Sequence, residues 1–128
     1  MVKKYMAKKI LIIEDDKLLA NLLTKKLEKE GYEVSVSPQG DKGLTEAKKI
    51  KPDLILLDII MPAMDGFEVM EELKKDEELV KIPIIIVSNS GQPVEISKAR
   101  ELGARDWLIK AEFDPQEVVD KVIKQIGK

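Results

Sequence analysis

Residues 52–66 read Pro52-Asp53-Leu54-Ile55-Leu56-Leu57-Asp58-Ile59-Ile60-Met61-Pro62-Ala63-Met64-Asp65-Gly66. Four consecutive apolar residues, Leu54 to Leu57, stand between a proline that stops any preceding helix and an aspartate. So short a run with no polar face suits a strand covered on both sides of a parallel sheet. Ile10-Leu11-Ile12-Ile13 and Ile84-Ile85-Ile86-Val87 have the same form. Weaker strand candidates are Glu33 to Ser37, which alternates, and Asp106 to Ile109.

Helical spacing fills the gaps between these runs. Leu18, Leu19, Leu22, Leu23 and Leu27 recur at three and four residues, which predicts one apolar stripe, with Gly31 as the stop. Gly40 to Ile50 predicts a second helix with Leu44, Ala47 and Ile50 inward. Asp65 to Lys75 predicts a third, facing inward through Phe67, Met70 and Leu73. Pro93 to Leu102 predicts a short fourth, ended by Gly103. Asp114 to Ile126 predicts a fifth, with Asp114 as N-cap and Pro115 at the first helical position. Strand then helix, five times over, with right-handed crossovers, requires an α/β doubly wound parallel sheet with helices on both faces. The five units use the whole of residues 1–128, with a core of about 8–127, so a single domain and no effector domain is expected.

Composition narrows the chemistry. The chain has 128 residues, 44% hydrophobic and 36% charged, with 24 acidic against 22 basic side chains, so no basic face for direct nucleic-acid binding is expected. It contains no cysteine and no histidine. Disulfide scaffolds, thiolate or imidazole metal sites and a Ser-His-Asp triad are thereby excluded. The apolar runs are far too short to span a membrane, and Met1 to Lys9 carry charge without an adjacent signal-type apolar region, so a cytoplasmic protein is expected.

In a doubly wound sheet, ligands bind beyond the carboxyl ends of the strands. Glu14-Asp15-Asp16 follow the first strand, Asp58 the third, Ser88-Asn89-Ser90 the fourth and Lys110 the fifth. Close carboxylates raise one another's pKa, and a hard divalent cation relieves the repulsion. Mg²⁺ suits such a site, because it takes oxygen ligands and keeps several waters. With Lys110 as a compact cation and Ser88 as a hydroxyl donor, the set could support phosphoryl transfer onto a carboxylate. Taken singly the residues are ordinary: Asp16 reads as the cap of the leucine helix, and a serine or lysine at a strand end as a turn or solvated residue. Their joint placement at four strand ends points to a site.

On these residues the chain resembles the receiver domains of two-component response regulators, of the stand-alone chemotaxis-regulator kind, over about residues 8 to 127. Residues 52–66 look like the phosphoacceptor strand and its loop, Ile10 to Asp16 like the first strand and acidic pair, Val87-Ser88 like the switch hydroxyl position, and Trp107-Leu108-Ile109-Lys110 like the aromatic switch and lysine. The resemblance implies a flavodoxin-like (βα)5 fold, with Asp58 as phosphoacceptor. It implies Mg²⁺ held by Asp15 and Asp58, by Glu14 through water and by the Ile60 backbone carbonyl. Lys110 and Ser88 would hold phosphoryl oxygens. Trp107 would swing inward as Ser88 is drawn to the phosphate, or else simply pack against the sheet edge. The implied donor is a sensor histidine kinase or phosphotransfer protein, and the implied output is binding through the face of fourth helix, fifth strand and fifth helix. A monomer or a phosphorylation-dependent dimer is implied, with no enzymatic activity beyond the domain's own phosphorylation and dephosphorylation.

Two departures from the family pattern stand out. Ala111 follows Lys110 where the family usually has a cis proline, so either a cis bond costing about 3 kcal/mol is kept or the loop is rebuilt. Trp107 is bulkier than the usual tyrosine or phenylalanine. Ile60 and Ser90 stand where the family tunes phosphoryl lifetime, and apolar Ile60 cannot position an attacking water, which predicts slow self-dephosphorylation. Ile60 also argues against a phosphohydrolase of the kind that needs a second aspartate two residues after its nucleophile, and against topoisomerase-primase-type metal folds. Glu14-Asp15-Asp16 would repel the phosphate of a flavin or dinucleotide. A receiver-like scaffold that binds without phosphorylation is the remaining alternative.

Overall fold

The computed structural model describes residues 7–112 and 114–128; the charged residues 1–6 lie outside the described residues. The elements are β1 (Lys9–Ile13), α1 (Lys17–Lys29), β2 (Glu33–Ser37), α2 (Gly40–Ile50), β3 (Leu54–Leu57), α3 (Gly66–Lys74), β4 (Ile84–Ser88), α4 (Pro93–Glu101), β5 (Ala104–Ile109) and α5 (Pro115–Ile126). A 3₁₀ turn, Leu79–Lys81, precedes β4 and plugs the core with buried Leu79. The sheet has the order β2-β1-β3-β4-β5 and every pair is parallel. This is the expected doubly wound arrangement.

The wholly apolar runs are explained by what each side of the sheet must cover. Leu11, Ile13, Ile55, Leu57, Ile84 and Ile86 face one way, onto α2, α3 and Ala99 of α4. Ile10, Ile12, Leu54, Leu56, Ile85 and Val87 face the other, onto α1 and α5. Alternate residues point to opposite faces, so a strand buried twice has no place for a polar residue. Aspartates set the entry of α1, α3 and α5. Asp16 accepts from the amides of Leu18 and Leu19, Asp114 from those of Gln116 and Glu117, and Asp65 forms a reciprocal capping box with Glu68.

The leucine stripe of α1 is narrower than expected. Leu23 and Leu27 are buried and Leu19 packs beside them, but Leu18 is 83% and Leu22 49% exposed. Leu18 and Leu22 lie four apart on a row about 100° around the helix from Leu19 and Leu23. That row falls outside the strip that the sheet and α5 cover. β5 also begins earlier than expected, at Ala104, beside a register shift at Ile84/Ile85.

Three local features shape the surroundings of Asp58. Ala63, in the loop after β3, has a φ of 67°, a left-handed conformation that favours glycine. At Gly66 a Cβ would collide with the Asp58 carbonyl oxygen and come within 2.8 Å of Ile59 Cα. Among the described residues there is no cis peptide bond, so the Lys110–Ala111 loop takes the rebuilt alternative. α4 is lightly held: Ala99 is its one buried residue, supplemented by Lys98 over the Phe67 ring at 4.5 Å. No helix among the described residues is long and apolar enough to cross a membrane.

Candidate functional site

The site residues are placed by the sheet itself. The amide of Asp58 donates to the Ile13 carbonyl at 2.9 Å, that of Glu14 to the Ser37 carbonyl at 3.0 Å, and that of Lys110 to the Ser88 carbonyl at 2.7 Å. Each of these bonds carries the parallel pairing to the strand end. The residues that follow β1, β3 and β5 are thus brought to a common edge, with Ser88 closing β4 between the last two.

At that edge, carboxylate oxygens of Glu14, Asp15 and Asp58 lie within 4.8 Å of one another. Asp15 is exposed, whereas Glu14 and Asp58 are each 3% exposed. Lys110 Nζ lies 2.9 Å from Glu14 Oε2 and 3.2 Å from Asp58 Oδ2. Glu14 Oε2 also accepts from the Asp16 amide at 3.0 Å.

Burial dominates the titration of this group. It pushes the Glu14 carboxyl up to about 7, with the Asp16 amide and Lys110 pulling the other way. Burial likewise raises the Asp58 carboxyl, against the charge of Lys110. Burial alone would lower Lys110, but its hydrogen bond to Glu14 and the charges of Asp58 and Glu14 outweigh it and hold the ammonium above its ordinary value.

Three carboxylates against one ammonium leave an excess of two negative charges once all are ionised. An all-oxygen donor set with one exposed member fits a hard divalent cation, which would complete the neutralisation that Lys110 begins. Ser88 is 1% exposed, and its Oγ accepts from the Ser90 amide at 3.3 Å, leaving the hydroxyl proton free to donate. Ile60 is 66% exposed, on the loop directly after Asp58.

The residues singled out from the sequence therefore share one edge, with Glu14, Asp15, Asp58 and Lys110 in close proximity. Two relationships were not anticipated. One is the Lys110–Glu14 ion pair, signalled only by opposite charges at two strand ends. The other is the Trp107 indole, half-buried against the core, donating from Nε1 to the Ser90 carbonyl at 2.7 Å. The family model described as response regulator receiver domain matches residues 10–123.

Curated relatives point the same way. The DNA-binding dual master transcriptional regulator RpaA of Synechocystis sp. is 38% identical over 89% of this chain and 47% of its own length. The alkaline phosphatase synthesis transcriptional regulatory protein PhoP of Bacillus subtilis is 36% identical over 91% of this chain and 48% of its own. The chain thus spans about half the length of these relatives. Among solved structures, chemotaxis protein CheY4 of Vibrio cholerae matches with a TM-score of 0.88 at 26% identity, covering 94% of this chain and 99% of that one. A CheY-like receiver domain protein of Methanospirillum hungatei matches with a TM-score of 0.85 at 27% identity, covering 92% of each.

Proposed function

This chain belongs to the response regulator receiver family of two-component signalling, and we propose on that premise that Asp58 accepts a phosphoryl group and thereby switches partner binding. The observation that carries this reading is Lys110 Nζ, placed 2.9 Å from Glu14 and 3.2 Å from Asp58 within a cluster of three carboxylates.

An Asp58 carboxylate oxygen attacks phosphorus; the phosphorus–nitrogen bond of a phosphohistidine breaks as the new phosphorus–oxygen bond forms, and the freed imidazole nitrogen keeps the electron pair. Lys110 offers a charge-assisted donor beside the attacking group, and Ser88 offers its free hydroxyl proton. Mg²⁺ is the cation we assign; Asp15, Asp58 and the Ile60 carbonyl would hold it, with Glu14 contributing through water, and when bound it would supply positive charge to the transferred phosphoryl oxygens.

The donor would be a histidine kinase or phosphotransfer protein. Leu18 and Leu22, exposed on α1 just beyond the acidic residues, supply apolar contact area for it. The output face would be α4, β5 and α5, in the cytoplasm, with the protein monomeric or dimerising on phosphorylation. Any catalysis is confined to the domain's own phosphoryl group. DNA binding is described of the longer relative RpaA and is no part of the function proposed for these residues.

Incubation with acetyl phosphate and Mg²⁺, followed by intact mass measurement, tests the reading. Wild type should gain one phosphoryl group and Asp58→Ala none. Steady turnover of phosphomonoesters would indicate a hydrolase instead, and the absence of an adduct a scaffold.

A further inference from the structure

We propose that Lys98, stacked over Phe67, is a positioning residue that holds α4 against α3 and acts as a brake on movement of that helix when Asp58 is modified. The inference rests on the phosphoacceptor reading above and adds a regulatory element to it.

The tie begins at Asp58. The Gly66 amide donates to the Ile59 carbonyl at 2.8 Å, and Gly66 lies so close to the Asp58 carbonyl that no Cβ fits between them. Phe67 follows directly in the first turn of α3, so its position is fixed relative to the phosphoacceptor loop. Its ring is half-buried and packs against the core. Lys98 of α4 places its ammonium 4.5 Å from the ring centroid. A chain of contacts therefore runs from the Asp58 backbone to α4 without passing through β4 or β5.

Lys98 has ordinary partners that it does not use. Glu95 and Glu101 stand three residues to either side on the same helix, the spacing at which helical ion pairs form. Among the described residues Lys98 joins neither in a salt bridge. A cation over an aromatic face is attracted by the ring's quadrupole. That attraction matters here because little else holds α4. Ala99 is the one buried residue of the helix, and a further polar tie to α3, from Lys74 Nζ to the Glu101 carbonyl, is long at 3.4 Å. Any arrangement in which α4 slides or rotates away from α3 carries Lys98 off the ring and forfeits the attraction. The contact therefore weights the balance toward the arrangement described here, and a phosphoryl group on Asp58 must work against it.

The ε-methylene protons of a lysine held over a ring face resonate upfield of their ordinary position, which gives the contact its own NMR signature. That signal is measured on the full chain, alone and with Mg²⁺ and beryllofluoride. Beryllofluoride affinity in Mg²⁺ is then compared for wild type, Lys98→Gln, Lys98→Arg, Phe67→Leu and the Lys98→Gln/Phe67→Leu pair. The Lys98 signal should be upfield in wild type, ordinary in Phe67→Leu, and should relax toward ordinary on activation. Lys98→Gln should bind beryllofluoride about two- to fivefold more tightly, the range of one surface cation–π contact. Lys98→Arg keeps a cation and should bind like wild type. The paired change should gain little over Lys98→Gln alone, because both substitutions remove one interaction. Lys98 is exposed, so its two variants should fold even where Phe67→Leu does not. Equal effects of the Gln and Arg changes, an unchanged Lys98→Gln affinity or fully additive gains in the pair would overturn the brake. An ordinary Lys98 signal in a wild-type chain that binds beryllofluoride would overturn the brake alone. An upfield signal in a wild-type chain that binds none would overturn the phosphoacceptor reading, and the brake with it.

Discussion

Lys110 Nζ lies 2.9 Å from Glu14 Oε2, joining the end of β5 to the end of β1 across the whole width of the site. The same nitrogen is 3.2 Å from Asp58, so one ammonium serves two carboxylates that solvent scarcely reaches. Removing it should leave those charges uncompensated. Lys110→Met is expected to lose about 2–3 kcal/mol of stability near pH 8, less than a fully enclosed pair because solvent still reaches Lys110. The loss should shrink in mild acid, where the carboxyls take up protons. Urea unfolding at the two pH values checks this; an unchanged midpoint near pH 8 would contradict it.

The raised carboxyls set the sign of a pH dependence. Glu14 goes from an ordinary 4.5 to about 7 on folding, and Asp58 moves in the same direction. Between those values the folded state binds more protons than the unfolded state. This contribution is therefore fully present below about 4.5 and is lost as pH rises through about 7. Mg²⁺ affinity should run the opposite way, strengthening as Glu14 gives up its proton. Glu14→Gln should flatten both trends. Denaturation midpoints and Mg²⁺ titrations, compared with wild type across the range, read the difference directly.

Ile60 stands on the loop after Asp58, 66% exposed and without a polar atom in its side chain. A phosphoryl group on Asp58 should accordingly persist, because nothing at this position orients water for attack at phosphorus. Ile60→Asn should shorten the lifetime several-fold with little change in folding stability. Loss of the phosphoryl mass over time, measured with Mg²⁺ and no partner present, is the readout. A wild-type half-life of seconds would contradict the expectation.

Backbone geometry around Asp58 makes opposite demands at two neighbouring positions. Ala63 adopts a φ of 67°, which costs about 1–2 kcal/mol for any residue with a Cβ. Ala63→Gly should relieve that, less the added freedom of the unfolded chain, for a net gain of about 0.5–1 kcal/mol. At Gly66 the reverse holds, because a Cβ would press on the Asp58 carbonyl and on Ile59 Cα. Gly66→Ala should lose about 1–3 kcal/mol and displace Asp58, slowing phosphorylation as well. Thermal melts of the two variants should move in opposite directions.

Much of this architecture is legible in the chain because two-sided burial leaves an unambiguous mark. Leu54 to Leu57 and Ile84 to Val87 carry no polar residue, and both prove to be central strands. The shared edge of Asp15, Asp58, Ser88 and Lys110 followed from strand order alone, since parallel strands end on the same side. Side-chain reach is another matter. Whether Lys110 turns to Glu14 as well as Asp58 depends on sheet twist and rotamers, which no linear pattern encodes. Leu18 and Leu22 misled for a different reason. Apolar spacing shows that a row exists on a helix, but only the neighbouring elements decide which rows they cover. The Trp107–Ser90 bond ends on a backbone carbonyl, a group that every residue possesses and that a sequence therefore cannot mark.

α4 has one buried residue, Ala99, where α3 and α5 each bury several. A phosphoryl group can shift a conformational balance only by the extra interaction it gains in one arrangement over the other, which for the function proposed above would be a few charge-assisted hydrogen bonds at Lys110 and Ser88. Such a difference could not reposition a helix rooted deep in the core. It is commensurate with one whose single buried side chain is Ala99 and which is joined to the site through Ser90 and Glu95. The weakest mooring among the described helices would thus set how faint a chemical event the surface can register.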